Sequence, residues 1–321
     1  MNDMRAARFH EHGGPDVLQI DRIPIPVPGP GEVLVRVRSV SVNGGELLDR
    51  SGRIRLLTGR TMPRQTGLDL VGTVVGHGDG SSSALGTGQR VWGMVRMRAG
   101  LSSAAEYVVV PEDHLSLAPQ SLDDDEAVTL LAGGTTALRA LRDEARIVPG
   151  ERLLVRGAAG GVGSVVVQLG TALGAHVTGL ARPSAAEYVR GLGADDVIDY
   201  AVPPAALPRF DVIVDASTAG GYLAYRKRLA PGGRFVALAF DADHLARDLG
   251  AIVASVVHGT QRVRFFSGAP RTTMFEEVAS LADRGDLRPV IDTVYPLDQI
   301  GEAHRRLEAG GVRGKLVVSI P

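Results

Sequence analysis

LLVRGAAGGVGSVVVQLGTALGAHVTGLARPSAAEYVRGLGADDVID, residues Leu153 to Asp199, carries an apolar run, a glycine-rich turn, a helix-length pattern and a second apolar run in unbroken succession. Leu153 to Val155 reads as a strand, Gly157 to Gly163 as a turn, and His176 to Leu180 as the next strand. Between them Val162, Val166, Leu169 and Leu173 recur at helical spacing, which gives one apolar face to lay on a sheet. The result is a βαβ unit opened by a phosphate cradle. In the stretch Gly157, Ala159, Gly160, Gly161, Val162, Gly163, the glycine at 160 admits a pyrophosphate to the backbone. Gly163 lets the helix sit close to the strand, and N–H groups at the helix start attract the anion. The first position of the dinucleotide pattern is Ala158, preceded by Gly157, so the motif is AxGxxG. A tight glycine turn in some other α/β protein is the competing reading, and the helical spacing that follows favours the dinucleotide.

Which dinucleotide is read from the end of the second strand, where NAD sites place an acid for the ribose 2′-hydroxyl and NADP sites place a cation and small hydroxyls. That segment is Thr178, Gly179, Leu180, Ala181, Arg182, Pro183, Ser184, with no acid. Arg182 offers a planar fork of donors suited to a phosphate, and Ser184 adds a hydroxyl. A solvated surface arginine is the plainer alternative in a chain whose only lysines are Lys227 and Lys315. The expected cofactor is NADP(H).

The chain has 321 residues, 44% hydrophobic and 22% charged, with a formal net charge of −1. That length allows two domains with a substantial core. Near-neutral charge without a basic run leaves no electrostatic footprint for nucleic acid. The opening MNDMRAARFHEHGG lacks the apolar core of a signal peptide and no run reaches membrane-spanning length, so a cytoplasmic protein off the membrane is expected. There is no cysteine, which removes disulfides, thiolate nucleophiles and cysteine-ligated zinc together.

Outward from the central unit, the two flanks differ. Towards the N-terminus, short runs at Glu32 to Val37, Gly72 to Val75, Gln89 to Val91 and Ala105 to Val110 lie between Gly and Pro clusters, the pattern of a mostly β domain. From Asp123 acids open a helix that continues to Leu141. Beyond the cradle, strands at Val197 to Ile198, Asp211 to Val214 and Arg234 to Leu238 alternate with helical segments such as Gly221 to Leu229, the signature of a doubly wound parallel sheet. The tail predicts helices over Thr273 to Arg284 and Leu297 to Ala309 and a last strand over Lys315 to Ile320.

ARFHEHGGPDVLQI, PVPGPGEVLVRV, SVNGGELLDRSG, AEYVVVP, AGGTTALRAL, GAAGGVG, LGADDVIDY and GKLVVSI occur in an order and spacing that resembles the medium-chain dehydrogenase/reductase superfamily, most closely its zinc-independent quinone oxidoreductase and enoyl reductase branch. The resemblance implies an α/β protein: a GroES-like β domain from residues 1–122 and 270–321 clasping a Rossmann domain of 123–269, with the active site in the cleft and a homodimer as the assembly. The family's zinc enzymes ligate the metal through Cys and His, whereas here the corresponding stretches read Val42, Asn43, Gly44 and Gly67, Leu68, Asp69. None of the eight histidines forms a compact ligand pair, so no metal is assigned. Chemistry without a Lewis acid suits a small-molecule substrate that is already electrophilic, a quinone or an α,β-unsaturated carbonyl.

By the same resemblance, Asn43 and Thr136 face the nicotinamide as catalytic residues, their polar side chains donating to developing charge. The alternatives are a turn asparagine bonded to its own backbone and a helix threonine bonded to a preceding carbonyl. Tyr200 lies against the adenosine ribose phosphate or is a strand-end aromatic. Leu238, Ala239 and Phe240 open onto the cofactor, Phe265, Phe266 and Ser267 meet the carboxamide, and Lys315 reaches the nucleotide phosphates or stands at the surface. Arg53, Arg96 and Arg98 recognise an anionic or phenolic substrate or are solvated loop charges. Two other functions fit the same residues: a tailoring reductase of a polyketide-like or acyl intermediate, and a non-catalytic NADPH-binding redox sensor.

Overall fold

A computed structural model describes residues 3–59, 61–80, 84–96, 101–217, 222–238, 263–265 and 271–321. Close packing divides the chain into two units, Met1–Ala132 with Ala269–Gly285 and Pro289–Pro321, and Gly133–Gly268 with Asp286–Arg288.

The first unit opens with β1 (Asp3–Phe9), β2 (Leu18–Pro24), β3 (Glu32–Ser41), α1 (Gly44–Arg50), α2 (Arg55–Thr58), β4 (Arg64–Gln65), β5 (Asp69–His77), β6 (Arg90–Met94), β7 (Tyr107–Pro111) and β8 (Leu115–Leu117). In β3 the alternation of the sequence becomes an alternation of faces, with Val33, Val35 and Val37 fully buried. Each contributes about 1.5–3 kcal/mol by leaving water.

The chain then enters α3 (Asp124–Leu138), continued by a π-helical stretch, Arg139–Ala145, that ends with Arg146 in the left-handed region at φ 50°. The second unit follows: β9 (Arg152–Arg156), α4 (Gly163–Ala172), β10 (His176–Ala181), α5 (Ala186–Gly191), β11 (Asp196–Asp199), β12 (Phe210–Asp215), α6 (Tyr222–Arg226), β13 (Leu229–Ala237) and β14 (Val263–Phe265). Its six described strands are all parallel, in the order β11-β10-β9-β12-β13-β14. Numbered from β9 this is 3-2-1-4-5-6, the doubly wound order whose direction reverses between β9 and β12, and the glycine turn leaves β9 at that switch point.

β13 differs from its expected bounds. Pro231, Gly232 and Gly233 read as a turn before a strand at Arg234, yet β13 already starts at Leu229. Phe210 pairs with Leu229 and Val212 with Arg234, so the prolyl-glycyl segment is an excursion within the strand, with Gly232 at φ 79°.

The tail returns to the first unit as α7 (Thr272–Asp283), β15 (Ile291–Pro296), α8 (Ile300–Glu308) and β16 (Lys315–Ser319). β16 pairs antiparallel with β3, which completes a sheet ordered β15-β16-β3-β5-β6-β8 with β7 also on β3. The core beneath it joins Val33, Val35, Leu70, Val91 and Val318 to Leu297, Ile300 and Ala303 of the C-terminal segment. The last strand thereby sets Lys315 beside the end of β3, where the candidate residues of this unit collect.

Candidate active site

In the second unit the glycine turn is shaped by backbone contacts. A Cβ on Gly163 would lie 1.9 Å from the Gly157 carbonyl oxygen, so only glycine lets α4 start there. Gly160 is different: the nearest atom to its Cβ position is the same oxygen at 3.5 Å, which leaves open space above it. Ala158, in place of the first glycine of the pattern, is buried, and its methyl is accommodated because Gly179 on β10 has no side chain: a Cβ there would lie 3.0 Å from the Ala158 methyl. No side chain caps α4; Ser164 and Val165 of its first turn donate their N–H groups to the Gly160 and Val162 carbonyls at 2.9 and 3.1 Å, which leaves the Gly163 N–H at the helix start for an anion.

Tyr200 reaches this turn, its hydroxyl oxygen accepting the Gly157 N–H at 2.7 Å. Burial pushes its phenol above the usual value. Arg182 directly follows β10 and is exposed with Ser184, and among the described residues no carboxylate pairs with Arg182. Thr136 is half-buried on α3, three residues beyond Gly133, where a Cβ would lie 2.9 Å from the Gly161 carbonyl oxygen. That close approach brings the helix of Thr136 onto the cradle. Leu238 donates its N–H to the Asp215 carbonyl at 2.9 Å. Phe265 ends β14, while Ala239, Phe240, Phe266, Ser267 and Arg98 lie outside the described residues.

Sequence reading passed over a buried ion pair at the same switch point. Arg156, the last residue of β9, pairs with Asp215 at the end of β12 and stacks over the Tyr225 ring at 3.9 Å. An arginine closing an apolar strand immediately before the turn was the available signal.

In the first unit Asn43 precedes α1, and Glu46 returns its Oε1 to the Asn43 backbone N–H at 3.2 Å. Asn43 Nδ2 donates to the Ser41 carbonyl at 3.0 Å and to Glu46 Oε1 at 3.0 Å, which occupies both of its hydrogens. The expected donation from Asn43 to developing charge would therefore have to break one of these bonds. Lys315, expected at nucleotide phosphates, is instead turned inward: its ammonium donates to Ser41 Oγ at 3.0 Å and to Asn43 Oδ1. Ser41 in turn donates its N–H and hydroxyl to Asp69 at 2.9 and 2.6 Å, so a buried cation and a buried anion share one serine. Burial lowers the Lys315 pKa, and the charges of Asp69 and Glu46 counter that shift. Arg96 binds Asp113 at 3.1 Å, and Arg53 is exposed.

Glu46 and His304 complete this polar interior. Burial first, then the charge of Asp69, pushes Glu46 up to about 7, while Asn43, Lys315 and Thr66 pull it down. His304 is fully buried with Nε2 3.9 Å from Glu46 Oε2, and burial beside the Arg50 guanidinium holds it down to about 3. A neutral imidazole makes no salt bridge, so the two groups meet as uncharged neighbours at mildly acid pH.

Their effects on stability have opposite sign. His304, lowered from 6.5 to about 3, is protonated first in the unfolded chain, so stability present above pH 6.5 is lost as pH falls towards 3. Glu46, raised from 4.5 to about 7, is protonated first in the folded chain, so its contribution is full below pH 4.5 and lost as pH rises through 7. They oppose each other between 4.5 and 6.5, and His304 acts alone below. Urea denaturation of the wild type and of His304→Leu should show the wild type losing ground by roughly 1.4 kcal/mol per pH unit below pH 6.5. A pH-independent gap between the two proteins would mean that His304 is not held neutral.

Comparison with known proteins places this geometry. Residues 29–120 match the family model for the alcohol dehydrogenase GroES-like domain, and residues 192–318 match that for zinc-binding dehydrogenase. The chain is 31% identical to NAD(P)H oxidoreductase RTN4IP1, mitochondrial, of Drosophila melanogaster over 99% of this chain and 86% of that relative. It is 29% identical to 2-methylene-furan-3-one reductase of Solanum lycopersicum over 99% and 79% of the two chains. The quinone oxidoreductase structure from Coxiella burnetii superposes with a TM-score of 0.89 at 26% identity, over 99% of this chain and 100% of that one. The zinc in one family description does not fit these residues: the chain has no cysteine, and no group of three His, Asp or Glu able to hold a metal occurs among the described residues. No described helix is long and apolar enough to cross a membrane. With a GroES-like sheet domain, a doubly wound parallel sheet and relatives matched along nearly its whole length, the chain belongs to the medium-chain dehydrogenase/reductase superfamily, in its quinone oxidoreductase branch.

Proposed function

We propose that the protein is an NADPH-dependent, zinc-independent reductase that transfers hydride to a quinone or to the activated double bond of an α,β-unsaturated carbonyl. The observation that carries the coenzyme choice is Arg182, an exposed guanidinium at the end of the second strand of the βαβ unit, unpaired with any carboxylate among the described residues. The names of relatives support the acceptor, one a quinone oxidoreductase and one an enone reductase.

The reduced nicotinamide, when bound, supplies the hydride. The Gly163 N–H at the start of α4 and the open space over Gly160 would hold the pyrophosphate, while Arg182 and Ser184 would hold the 2′-phosphate. Thr136 and Asn43 serve the nicotinamide end. The electron pair that enters the conjugated acceptor comes to rest on its oxygen, and water supplies the proton. Positioning does most of the catalytic work, since a quinone or enone is electrophilic without a metal.

The test is NADPH and NADH oxidation with small quinones and enones, in wild type and Arg182→Ala. The expected result is a KM for NADPH raised about tenfold or more, the scale of a lost charge-assisted hydrogen bond, with NADH kinetics nearly unchanged. Equal effects on both coenzymes would overturn the role of Arg182, and silence across the whole acceptor panel would overturn the activity.

A further inference from the structure

The chain has two asparagines, Asn2 and Asn43, and Asn43 is followed by Gly44. The backbone nitrogen after an asparagine can attack the side-chain carbon, and glycine obstructs that approach least because it has no side chain. Gly44 is exposed, and apart from its chain neighbours and its own helix backbone nothing lies within 4 Å of the place its Cβ would take. As the first residue of α1 it has an N–H with no acceptor among the described residues. Against this stands the hold on the Asn43 side chain. Nδ2 donates to the Ser41 carbonyl and to Glu46 Oε1, both at 3.0 Å. Oδ1 accepts from the Lys315 ammonium and from the Glu46 backbone N–H of the capping box. We propose that Asn43–Gly44 is a latent deamidation site, held shut in the folded protein by Ser41, Glu46 and Lys315 and opened when this corner of the first unit loosens.

In the reaction the Gly44 nitrogen bonds to Asn43 Cγ, the Cγ–Nδ2 bond breaks, and ammonia leaves with the proton that the Gly44 amide gives up. The product is a five-membered succinimide. Water then opens one of its two carbonyl–nitrogen bonds: opening at Cγ gives an aspartate, and opening at the main-chain carbon gives an isoaspartate whose backbone runs through the side chain. The sum is one water taken up and one ammonia released, with no change of oxidation state. Ring closure requires Asn43 Cβ and Gly44 N to lie nearly eclipsed about the Cα–C bond. At ψ 146° they do not, so the backbone must turn, and with the amide tied at both its atoms that turn breaks the bonds that hold it. The donors on Oδ1 would favour the oxyanion of the addition step, but they meet that oxygen only in the held position, where Cγ is out of line with Gly44. Conversion is irreversible in its effect on the interior. A carboxylate at this position offers no donor to the Ser41 carbonyl or to Glu46 Oε1, and it adds a negative charge beside Glu46, whose ionisation the charge of Asp69 already opposes.

The protein is incubated at neutral pH in buffer and in urea, and residue 43 is followed by the mass of the tryptic peptide Ser39 to Arg50 and by isoaspartyl methyltransferase labelling. Asn2 falls in a different peptide and is read separately. Wild type should convert at Asn43 about tenfold or more faster in urea than folded, since closure within the fold sacrifices hydrogen bonds. Lys315→Met and Glu46→Ala each release one atom of the amide and should speed conversion of the folded protein about fivefold or more. Val91→Ala opens a cavity in the core of the same unit and leaves these bonds in place, so folded it should match wild type, which separates local loosening from global unfolding. Gly44→Pro removes the attacking N–H, suits the first position of a helix and accepts the extended Asn43 backbone at φ −117° and ψ 146°. It should leave residue 43 unchanged even in urea. Where Lys315→Met does not fold, Glu46→Ala and the wild-type comparison still decide. An Asn43 that survives urea unchanged would overturn the site. Equal rates in buffer and urea, or folded Glu46→Ala converting no faster than Val91→Ala, would overturn the hold placed on it by its neighbours.

Discussion

Gly163→Ala is expected to destabilise the protein by about 3 kcal/mol and to abolish detectable NADPH binding, whereas Gly160→Ala should fold as wild type and weaken NADPH binding by about tenfold or more. The two glycines belong to the same motif and do different work. A methyl at 163 meets the Gly157 carbonyl oxygen at 1.9 Å and its carbon at 2.6 Å. Both are backbone atoms of the turn itself, so relief requires moving either the turn or the start of α4, and each move misaligns the N–H groups meant for phosphate. At 160 the nearest atom is 3.5 Å away, an ordinary contact, so the cost should appear only when a ligand claims that space. Thermal denaturation and NADPH titration on the two variants separate the effects. Wild-type affinity in Gly160→Ala would show that the pyrophosphate does not pass over this residue.

The same contrast marks what was legible in the sequence. The βαβ unit could be read because its information is local: a period near 3.6 residues between two apolar runs, with glycines at the join. Even the alanine in place of the first glycine is explained by a neighbour only on the fold, since Gly179 lies across on β10 and gives Ala158 its room. The start of β13 was misread because Pro231 to Gly233 is turn chemistry by any local rule, while pairing with β12 carries the strand across it. The buried polar groups were the least legible. Arg156 and Asp215 are 59 residues apart, and Asn43 and Lys315 are 272 apart. In sequence they are ordinary polar and charged letters, and only the return of β16 to β3 makes Lys315 a partner of Ser41 and Asn43. Glu46 follows Asn43 in the same loop as one more acid, and its proximity to Asp69, which helps to raise its pKa, depends wholly on tertiary packing.

That buried network is the source of the second large effect. Lys315→Met is expected to cost about 3–5 kcal/mol, because it leaves Asp69 as a buried anion without the cation bonded to the same serine. Asp69 is fully buried, and without Lys315 it keeps only the N–H and hydroxyl of Ser41 from this cluster. Two hydrogen bonds offset part of the desolvation of a carboxylate and cannot replace a full opposite charge. Glu46 softens the loss: Lys315 lowers its pKa, so the variant holds Glu46 more fully protonated and spares the unit a second buried anion. Since a typical domain is stable by only about 5–15 kcal/mol, the single variant should unfold at markedly lower urea concentration. Adding Asp69→Asn removes the orphaned charge and should recover more than half of the loss, giving a coupling energy of about 2 kcal/mol or more in a double-mutant cycle. Additive single and double variants would mean that Lys315 and Asp69 do not compensate each other. The interior would then owe its order to packing around Ser41, and Lys315 could be replaced by any side chain of similar length.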